Sequence, residues 1–426
     1  MSAWLLPVFV PIGLLLLLAA LWVFNSLTAA PVYSDPASVS SVTSSAPSPK
    51  WGGAVETAQR IVRASIVEQN LPGVSVAVGI DGEILWAEAF GFADLLSREP
   101  VTPNHRFSLG TASTVLTSAA AGLLLEKGQL KLDDEIQTYV PAFPKKQWPV
   151  TLRELMAHTA GLPLDGNDEL HTRHCDQPAE ALQYFAERPL LFQPGTQYGY
   201  SSYGWILVSA AIEAAANQPF LAFMREQVFD PLGMHDTAAA PSPDPAVIEG
   251  EDAPIFTLIR ELIYDPKARH GVPNSPTPPP QGHVTSYVPR FSSDPNNGIR
   301  IMRPVDYSCY AGASVFASTP SDLVRFGMAI QSGKLLKPAT VELLQTPQRL
   351  ASGEETGYGL GWRVKTVTLG SKQARAIGHD GESLGGRVAS LLTFPDNGIV
   401  VAVTSNIAYT DTFSLGVKIA QAFAER

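Results

Sequence analysis

The chain has 426 residues, with 30 Lys and Arg against 40 Asp and Glu, a formal net charge of −10 and only 16% charged residues. An acidic chain without a basic cluster has no surface that would follow a phosphate backbone, so the composition argues against nucleic acid as a partner. Apolar residues make up 45% of the chain, which is enough for a large buried core and excludes disorder for most of the sequence. The two cysteines, Cys175 and Cys309, exclude a four-cysteine zinc site; at most they form one disulfide, in an oxidising compartment.

The N-terminus is strongly apolar. Ala3 to Phe24 are 22 consecutive residues without a charge, and a helix of this length covers about 33 Å, roughly one bilayer core. We therefore predict a membrane anchor within residues 1–30. A cleavable signal peptide is the alternative: Thr28-Ala29-Ala30 has the small residues of a cleavage site, although the apolar run is long and no basic residue precedes it. The first alternative predicts a single-pass protein of the cell membrane with a periplasmic domain, and the second a secreted protein.

A short polar segment separates the apolar run from the rest of the chain. Seven serines lie between Ser34 and Ser48, and residues 31–54 are mainly Ser, Ala, Pro and Val. Such a segment buries too little apolar surface to order itself, so residues 31–54 are predicted to be a flexible spacer. Residues 55–426 are predicted to form one folded domain.

Both ends of this domain have the pattern of antiparallel hairpins. Val74–Ile80 and Glu83–Ala87 are apolar runs separated by Asp81-Gly82, which is typical of a two-residue turn. Arg387–Phe394 and Ile399–Thr404 form a second pair near the C-terminus. Helical periodicity marks other segments: Val55–Ile66, Thr114–Lys127, Trp205–Ala216 and Leu415–Ala424. The predicted fold class is α/β, more narrowly α+β: an antiparallel sheet from both chain ends, flanked by helices, with a mainly helical region inserted at about 106–340.

A proline-rich stretch interrupts the helical region. Residues 241–300 hold 12 of the 35 prolines, which predicts an extended surface excursion. Within it, apolar residues recur at helical spacing between Ile255 and Ile263. This short helix is predicted to pack on the parent domain, with contact to a membrane or a partner as the alternative.

Three local patterns carry the functional interpretation. They are, in chain order, Arg106-Phe107-Ser108-Leu109-Gly110-Thr111-Ala112-Ser113-Thr114 before an apolar helix, Tyr200-Ser201-Ser202-Tyr203-Gly204 after Pro194-Gly195-Thr196, and Gly378-His379-Asp380-Gly381 before the C-terminal hairpin. The segment Thr151-Leu152-Arg153-Glu154-Leu155-Met156-Ala157-His158-Thr159-Ala160-Gly161-Leu162 lies between the first two. In this order, from about Val55 to the C-terminus, the chain resembles the serine β-lactamase and penicillin-binding protein superfamily. It is most similar to the class C branch, which also contains esterases, D-amino-acid peptidases and the mitochondrial serine β-lactamase-like protein. This resemblance implies a β-lactamase/transpeptidase-like fold.

The resemblance also implies roles for individual residues. In the family, Ser-x-x-Lys opens a helix; the serine attacks a carbonyl and the lysine helps to remove its proton. Thr111 and Thr114 stand at these two positions. The family's Tyr-x-Asn motif corresponds to Tyr200 and Ser202, and its His-x-Gly motif begins at His379 and ends at Gly381.

Both main catalytic side chains are thus replaced in Thr111-Ala112-Ser113-Thr114. Thr111 keeps a hydroxyl, but its β-branch restricts χ1 and crowds a tetrahedral intermediate, and Thr114 supplies neither a base nor a positive charge. No lysine of the chain follows a Ser or Thr by three residues. Ser113 is a poor substitute nucleophile because two residues along a helix rotate its side chain by about 200°, and Ser108 is expected in the loop before the helix.

Two functions fit this pattern. The first is a hydrolase that cleaves amide or ester bonds of a cell-wall peptide, a β-lactam or a small ester. Thr111 would be its nucleophile, Tyr200 or His379 its base, and the backbone N–H groups of Thr111 and Glu382 its oxyanion hole, without metal or cofactor. The second is a catalytically inactive member that serves as a binding, sensor or scaffold protein, because losing one member of a catalytic unit costs about 10⁴ to 10⁶ in kcat.

The remaining histidines are interpreted as structural. His158 lies near the end of a predicted helix, where a structural role is expected. His171-Thr172-Arg173-His174-Cys175 contains three possible ligands without a regularly spaced acidic fourth, which favours a surface loop over a zinc site.

Overall fold

The structure is a computed structural model of the chain. It describes residues 13–14, 16–21, 23–24, 29–44, 48–164, 168–243, 280–290, 293–302, 305–383 and 386–425. These residues form the predicted fold class, with an antiparallel sheet drawn from both chain ends and a largely helical region between its halves.

One large antiparallel sheet organises the described part of the chain. The described strands are β1 (Ser41–Thr43), β2 (Gly73–Ile80), β3 (Glu83–Asp94), β4 (Glu99–Pro100), β5 (Phe107–Ser108), β6 (Ala238–Ala239), β7 (Tyr287–Pro289), β8 (Ile299–Ile301), β9 (Phe316–Ser318), β10 (Arg363–Leu369), β11 (Lys372–Ser383), β12 (Gly386–Phe394) and β13 (Ile399–Ser405). The large sheet has the order β1-β3-β2-β13-β12-β11-β10, and β4 pairs with β3. Pairing of β13 with β2 joins the two predicted hairpins. Asp81 and Gly82 both have positive φ, as the predicted two-residue turn requires.

Helices cover both faces of this sheet. The described α-helices are α1 (Gly52–Glu68), α2 (Ser113–Glu126), α3 (Leu152–Met156), α4 (Ser202–Ala216), α5 (Phe220–Met224), α6 (Asp230–Leu232), α7 (Ala311–Ser314), α8 (Pro320–Gln331), α9 (Pro338–Gln345) and α10 (Thr412–Ala424). Helices α1 and α10 share one hydrophobic core with one face of the sheet. Helix α8 packs on the opposite face, in a second core that includes α2 and α4. Nearly every side chain of α2 and the first three turns of α4 is buried, as expected of helices that are apolar all round.

Part of the predicted spacer packs on the domain. Tyr33 and Val39 are buried at 7% and 3% exposure, and β1 extends the sheet by pairing with β3. We call residues 29–43 the N-terminal strap. The composition of the segment gives no sign of this packing. Two buried side chains and one short edge strand are enough to hold the strap on the domain, because β3 offers a sheet edge for pairing.

The two cysteines are joined. The disulfide between Cys175 and Cys309 links segments 134 residues apart in sequence. Beside it, His174 Nδ1 lies 2.9 Å from a carboxylate oxygen of Asp306. Most of the proline-rich insertion, including the predicted helix between Ile255 and Ile263, lies outside the described residues.

Among the described residues, no single helix is both long and apolar enough to cross a membrane. One bent pair, Ser202–Ala216 with Phe220–Leu232 at 79°, passes by length and composition when the two helices are joined. Its first member, α4, is largely buried in the core. The predicted anchor, Ala3–Phe24, is only partly covered by the described residues.

Candidate active site

The first and third sequence patterns meet where a 3-10 turn, Gly110–Ala112, leads into α2. A Cβ atom at Gly381 on β11 would overlap the carbonyl oxygen of Leu109 and approach the Cβ of Ala112 to 3.1 Å. Only glycine permits this approach of two backbones. The glycine of the third pattern therefore sets the distance between β11 and the turn that carries Thr111.

The two threonine hydroxyl groups of the first pattern bond to backbone carbonyls. Thr111 is 7% exposed, and its Oγ1 donates to the carbonyl oxygen of Asp380 at 3.3 Å. Thr114 is fully buried, and its Oγ1 donates to the carbonyl oxygen of Thr111 at 2.9 Å. A carbonyl oxygen cannot remove a proton, so neither bond prepares Thr111 for attack. Ser113 Oγ accepts the N–H of Phe316 at 3.3 Å, as expected for a side chain turned away from this position.

The second pattern places Tyr200 immediately before α4, with Ser202 buried in the first turn of that helix. The ring of Tyr200 stacks on the imidazole of His158, with 4.0 Å between centroids and 28° between planes. The same ring lies 6.2 Å from the imidazole of His379. The structure therefore brings Tyr200 and His379 into one cluster, close to the β11 segment whose Asp380 contacts Thr111.

His158 forms a wall of this site. It follows α3, which begins with a capping box between Thr151 and Glu154. The φ of His158 is +58°, which turns the chain sharply after the short helix. Its carbonyl oxygen accepts the N–H of Gly199 at 2.9 Å, so the same residue also ties down the loop that carries Tyr200. The expected structural role therefore includes direct contact with a site residue.

Tyr358 connects the two histidines of the site. Its hydroxyl lies 3.2 Å from Nε2 of His158 and 2.9 Å from Nε2 of His379, and all three side chains are at most 3% exposed. The hydroxyl of Thr114 is a further polar neighbour of this phenol. Burial raises the pKa of Tyr358 well above its ordinary value, so the phenol keeps its proton.

The hydrogen-bond partners fix the direction of this network. His158 Nδ1 accepts the N–H of Ser201 at 3.2 Å, and Trp205 Nε1–H approaches His158 Nε2 at 3.4 Å. A neutral imidazole accepts at one nitrogen only, so we assign the acceptor to Nδ1, which has the shorter bond; Nε2 then carries the proton and donates to Tyr358, and the approach of Trp205 is a contact. Tyr358 then donates to Nε2 of His379, whose Nδ1–H donates to the carbonyl oxygen of Asp380 at 2.7 Å. The only lone pair of neutral His379 that could accept a proton is therefore engaged by Tyr358.

Both histidines are neutral. Burial, reinforced by the positive charge of Arg363, lowers the pKa of His158 to about 3. The same two causes lower the pKa of His379 well below its ordinary value. Neither imidazole therefore supplies the positive charge that the family's lysine provides.

Arg363, at the start of β10, supplies a positive charge instead. Its Cζ lies 5.6 Å from the ring centroid of Tyr200, and its Nη1 lies 4.0 Å from Oδ2 of Asp380. Asp380 is closer to Lys365, whose Nζ is 3.4 Å from the same oxygen. The Nε of Arg363 is buried and has no hydrogen-bond partner among the described residues. A guanidinium stays protonated, so Arg363 provides charge but no base.

Neither Tyr358 nor Arg363 was among the residues predicted from the sequence. Tyr358 lies in the glycine-rich run Gly357-Tyr358-Gly359-Leu360-Gly361-Trp362, which was the available signal. Gly361 has a φ of +96°, and a Cβ there would approach Trp205 to 2.7 Å, so this run threads closely past the helical core. No local pattern distinguishes Arg363 from a surface arginine.

Gly381 and Glu382, next to the predicted oxyanion hole, lie on the part of β11 that has no pairing with β10. Pairing between β10 and β11 ends at Gly378, so His379–Ser383 extends beyond β10. The register on the β12 side shifts between Gly381 and Glu382, a bulge that redirects the backbone at this point. The pairing of the N–H groups of Thr111 and Glu382 as an oxyanion hole stays a prediction.

Within the described ranges, no group of three or more His, Cys, Asp or Glu side chains is placed to hold a metal ion. A separate cavity of about 840 Å³ lies between α8, α9 and β11 and is lined in part by Met328, Val341 and Ile377. Neither Thr111 nor Tyr200 lines that cavity.

Comparison with known proteins agrees with this geometry. The sequence model of the beta-lactamase family matches residues 58–424. The mitochondrial serine beta-lactamase-like protein LACTB of Mus musculus is 25% identical over 480 residues, covering 87% of this chain and 80% of the relative. Penicillin-binding protein 4* of Bacillus subtilis is 27% identical over 305 residues, covering 70% and 60% of the two chains. The solved structure of D-amino acid amidase from Ochrobactrum anthropi superimposes with a TM-score of 0.63 at 21% identity, covering 87% of this chain and 98% of the amidase.

Proposed function

The chain belongs to the beta-lactamase family, and from this premise we propose that it is an exported, membrane-anchored member whose cleft binds a ligand without efficient acyl transfer. The observation that carries the proposal is the hydrogen bond from Thr111 Oγ1 to the carbonyl oxygen of Asp380. The hydroxyl that would attack a carbonyl is thereby directed at a group that cannot take its proton. The ligand class that the family context favours is a cell-wall peptide or a β-lactam.

The surrounding groups support this proposal. One of the two predicted bases, His379, has its Nε2 lone pair engaged by Tyr358. Thr114 is a hydroxyl bonded to the backbone where the family has its lysine. Removing a member of a catalytic unit costs about 10⁴ to 10⁶ in kcat, and both the nucleophile and the lysine are altered here. Binding requires none of these groups as a base, so it persists when acyl transfer is lost.

A second candidate function is slow hydrolysis with Thr111 as nucleophile and Tyr200 as base. The observation in its favour is the position of Arg363, whose charge lies over the Tyr200 ring. A cation in this place favours the phenolate form that a base would need. The hydroxyl of Thr111 would have to turn away from Asp380 for this reaction to start.

The proposed location rests on two features. The uncharged run Ala3–Phe24 has the length of a membrane span. The disulfide between Cys175 and Cys309 fits an oxidising compartment such as the periplasm. We propose a single-pass anchor with the domain on the extracytoplasmic side; release by signal cleavage is the alternative.

Covalent labelling tests the function. The purified full chain in detergent is incubated with a fluorescent penicillin and with a fluorophosphonate, and adducts are detected by gel fluorescence and intact mass. We expect no adduct on the native chain, and labelling only after Thr111→Ser is combined with Thr114→Lys. Ser113→Ala in that double variant is the matched control, because its hydroxyl faces Phe316 and its loss should leave labelling unchanged.

Two outcomes decide between the candidates. Labelling of the native chain that disappears in Thr111→Ala would overturn the binding-only proposal and support hydrolysis. The binding-only proposal would be supported if the native chain shows no covalent adduct and penicillin displaces a non-covalent probe saturably and reversibly.

A further inference from the structure

The N-terminal strap is held to the domain by contacts along its whole length. Ala29 lies against the hairpin of β7 and β8, because a Cβ at Gly298 would be 3.2 Å from its Cβ. The N–H of Val32 donates to Oδ1 of Asn70 at 2.7 Å. Asn70 in turn donates from Nδ2 to the carbonyl oxygen of Pro295 at 3.0 Å. One buried asparagine therefore fastens the strap to the hairpin region.

The next part of the strap is buried more deeply. Tyr33 stacks on Phe92 with 5.8 Å between ring centroids and 7° between planes. Arg63 of α1 donates from Nε to the carbonyl oxygen of Val39 at 3.3 Å and from Nη2 to Ser41 Oγ at 2.8 Å. From Ser41 the strap continues as β1, in register with Phe90 to Glu88 of β3.

These contacts limit how far the domain can be from the end of the apolar run. Five residue steps separate Phe24 from Ala29, and a fully extended chain spans at most about 18 Å over five residues. A free spacer of 30 residues would instead average about 30 Å and reach about 100 Å when extended. A docked strap therefore confines the domain to the bilayer surface, whereas a free spacer would not.

We infer that the surface around Gly298, Pro295 and the C-terminal end of α1 faces the lipid headgroups, and that the strap holds the domain against the membrane in one orientation. The inference rests on the membrane anchor of the proposed function. The exposed side chains beside this surface include Glu68 and Asp294. These carboxylates do not attract anionic lipids, so the apolar anchor and the docked strap, rather than surface charge, hold this face at the membrane.

The position of the cleft follows from the sheet. One ladder row runs through Val42, Ala89, Ser75, Thr404, Ala389 and Gly381. Five strand spacings of about 4.8 Å place Gly381 about 24 Å from the strap along the sheet. The cleft thus lies about 24 Å from the strap along the sheet, and in the inferred orientation it binds ligands close to the membrane surface.

Energy transfer to the bilayer tests this orientation. The full chain is reconstituted in phosphatidylcholine vesicles with a trace of acceptor-labelled lipid, and a donor is attached to Asn296→Cys or to Lys334→Cys. The native cysteines form a disulfide and do not react without reductant. Asn296 is exposed beside Pro295, which contacts Asn70 just before the start of β2. Lys334 is exposed just after α8, which ends near the Asp81-Gly82 turn that follows the other end of β2.

The two sites are separated by about the length of β2, eight residues or roughly 25 Å. We expect donor quenching to be about twofold or more stronger at Asn296 than at Lys334. Tyr33→Ala combined with Val39→Asp should release the strap and remove most of this difference. Val42→Ala, at a strap side chain that is 37% exposed, is the matched control and should preserve it.

The outcomes separate this inference from the proposed function. Equal quenching at both sites in a chain whose N-terminus is intact by mass would overturn the orientation and leave the anchor standing. An N-terminus that begins near Pro31 in exported protein would overturn the anchor and the orientation together. Neither result changes the expected covalent labelling, which is none on the native chain and an adduct on the Thr111→Ser, Thr114→Lys double variant.

Discussion

Replacing Tyr358 by phenylalanine tests the network at the centre of the site. The substitution keeps the buried ring and removes only the oxygen that joins His158 and His379. His158 Nε2–H then loses its acceptor and His379 Nε2 loses its donor, and both side chains are too buried for water to replace the phenol. A buried polar group without a partner costs about 1–3 kcal/mol, so two such groups should lower the free energy of unfolding by about 2–6 kcal/mol.

Equilibrium unfolding in urea, followed by tryptophan fluorescence, measures this loss. With an unfolding entropy of about 2.1 cal/mol/K per residue and roughly 370 folded residues, the same loss lowers Tm by about 3–8 °C. Tyr198→Phe is the matched control, because Tyr198 contacts the same rings but is 39% exposed; its stability should change by at most about 0.5 kcal/mol. A loss in Tyr358→Phe no larger than that of the control would refute the view that this phenol satisfies both imidazoles.

Three further predictions concern pH, packing and the disulfide. The folded-state pKa values of His158 and His379 are depressed, so the unfolded chain binds more protons below about pH 6.5, and the free energy of unfolding should fall as pH decreases toward 4. Each histidine contributes up to about 1.4 kcal/mol per pH unit to the slope of the free energy of unfolding against pH. Urea titrations of His379→Gln at several pH values should therefore give a slope smaller by the contribution of one histidine. Gly381→Ala should cost about 3 kcal/mol or prevent folding, because its Cβ meets the Leu109 backbone; Gly53→Ala has no atom within 4 Å and should leave the urea midpoint nearly unchanged. Replacing both cysteines by serine opens a loop of 134 residues and should lower the free energy of unfolding by up to about 5 kcal/mol, with no further effect of added reductant.

The predicted hairpins and long helices are confirmed because their signals are local. Asp81-Gly82 between two apolar runs fixed one turn, and the strands around it end within a few residues of the predicted bounds, except that β3 continues to Asp94. Helices α2 and α4 likewise begin within three residues of their predicted starts. Periodicity and turn chemistry act over a few residues, so they can be recognised without knowing the partner elements.

The strands β10 and β11 were not predicted, and the reason is physical. β10 carries exposed side chains at Thr366 and Thr368 between partly buried ones, and β11 contains Gly378 and Gly381, which weaken a strand pattern. β11 pairs with β12 and β10 pairs with β11, so the two strands are stabilised by the sheet rather than by their own composition. The third motif lies just before the C-terminal hairpin, as predicted, and the structure adds that it is part of a strand, β11.

The N-terminal strap is docked on the domain, although its composition predicts a flexible spacer. Residues rich in Ser and Pro are typical of flexible spacers, yet Tyr33 and Val39 lie among buried residues of the domain. Composition averages over a segment, whereas docking requires only a few side chains at the right places. The pairing of Tyr33 with Phe92 joins residues 59 positions apart and could not be read from either sequence neighbourhood.

The positive charge of the site likewise comes from a residue distant in sequence, so it could not be predicted from the local motif. The family's lysine combines two properties, a charge that favours an anion and a nitrogen that can carry a proton away. Here Thr114 has neither, and Arg363 restores the charge from another strand without the proton transfer, because a guanidinium does not lose its proton. Stabilisation of an anionic or carbonyl-bearing ligand and activation of Thr111 are therefore separate properties of this cleft. Binding should depend on Arg363 and survive Thr111→Ala, while acylation should require both a new nucleophile and a new base.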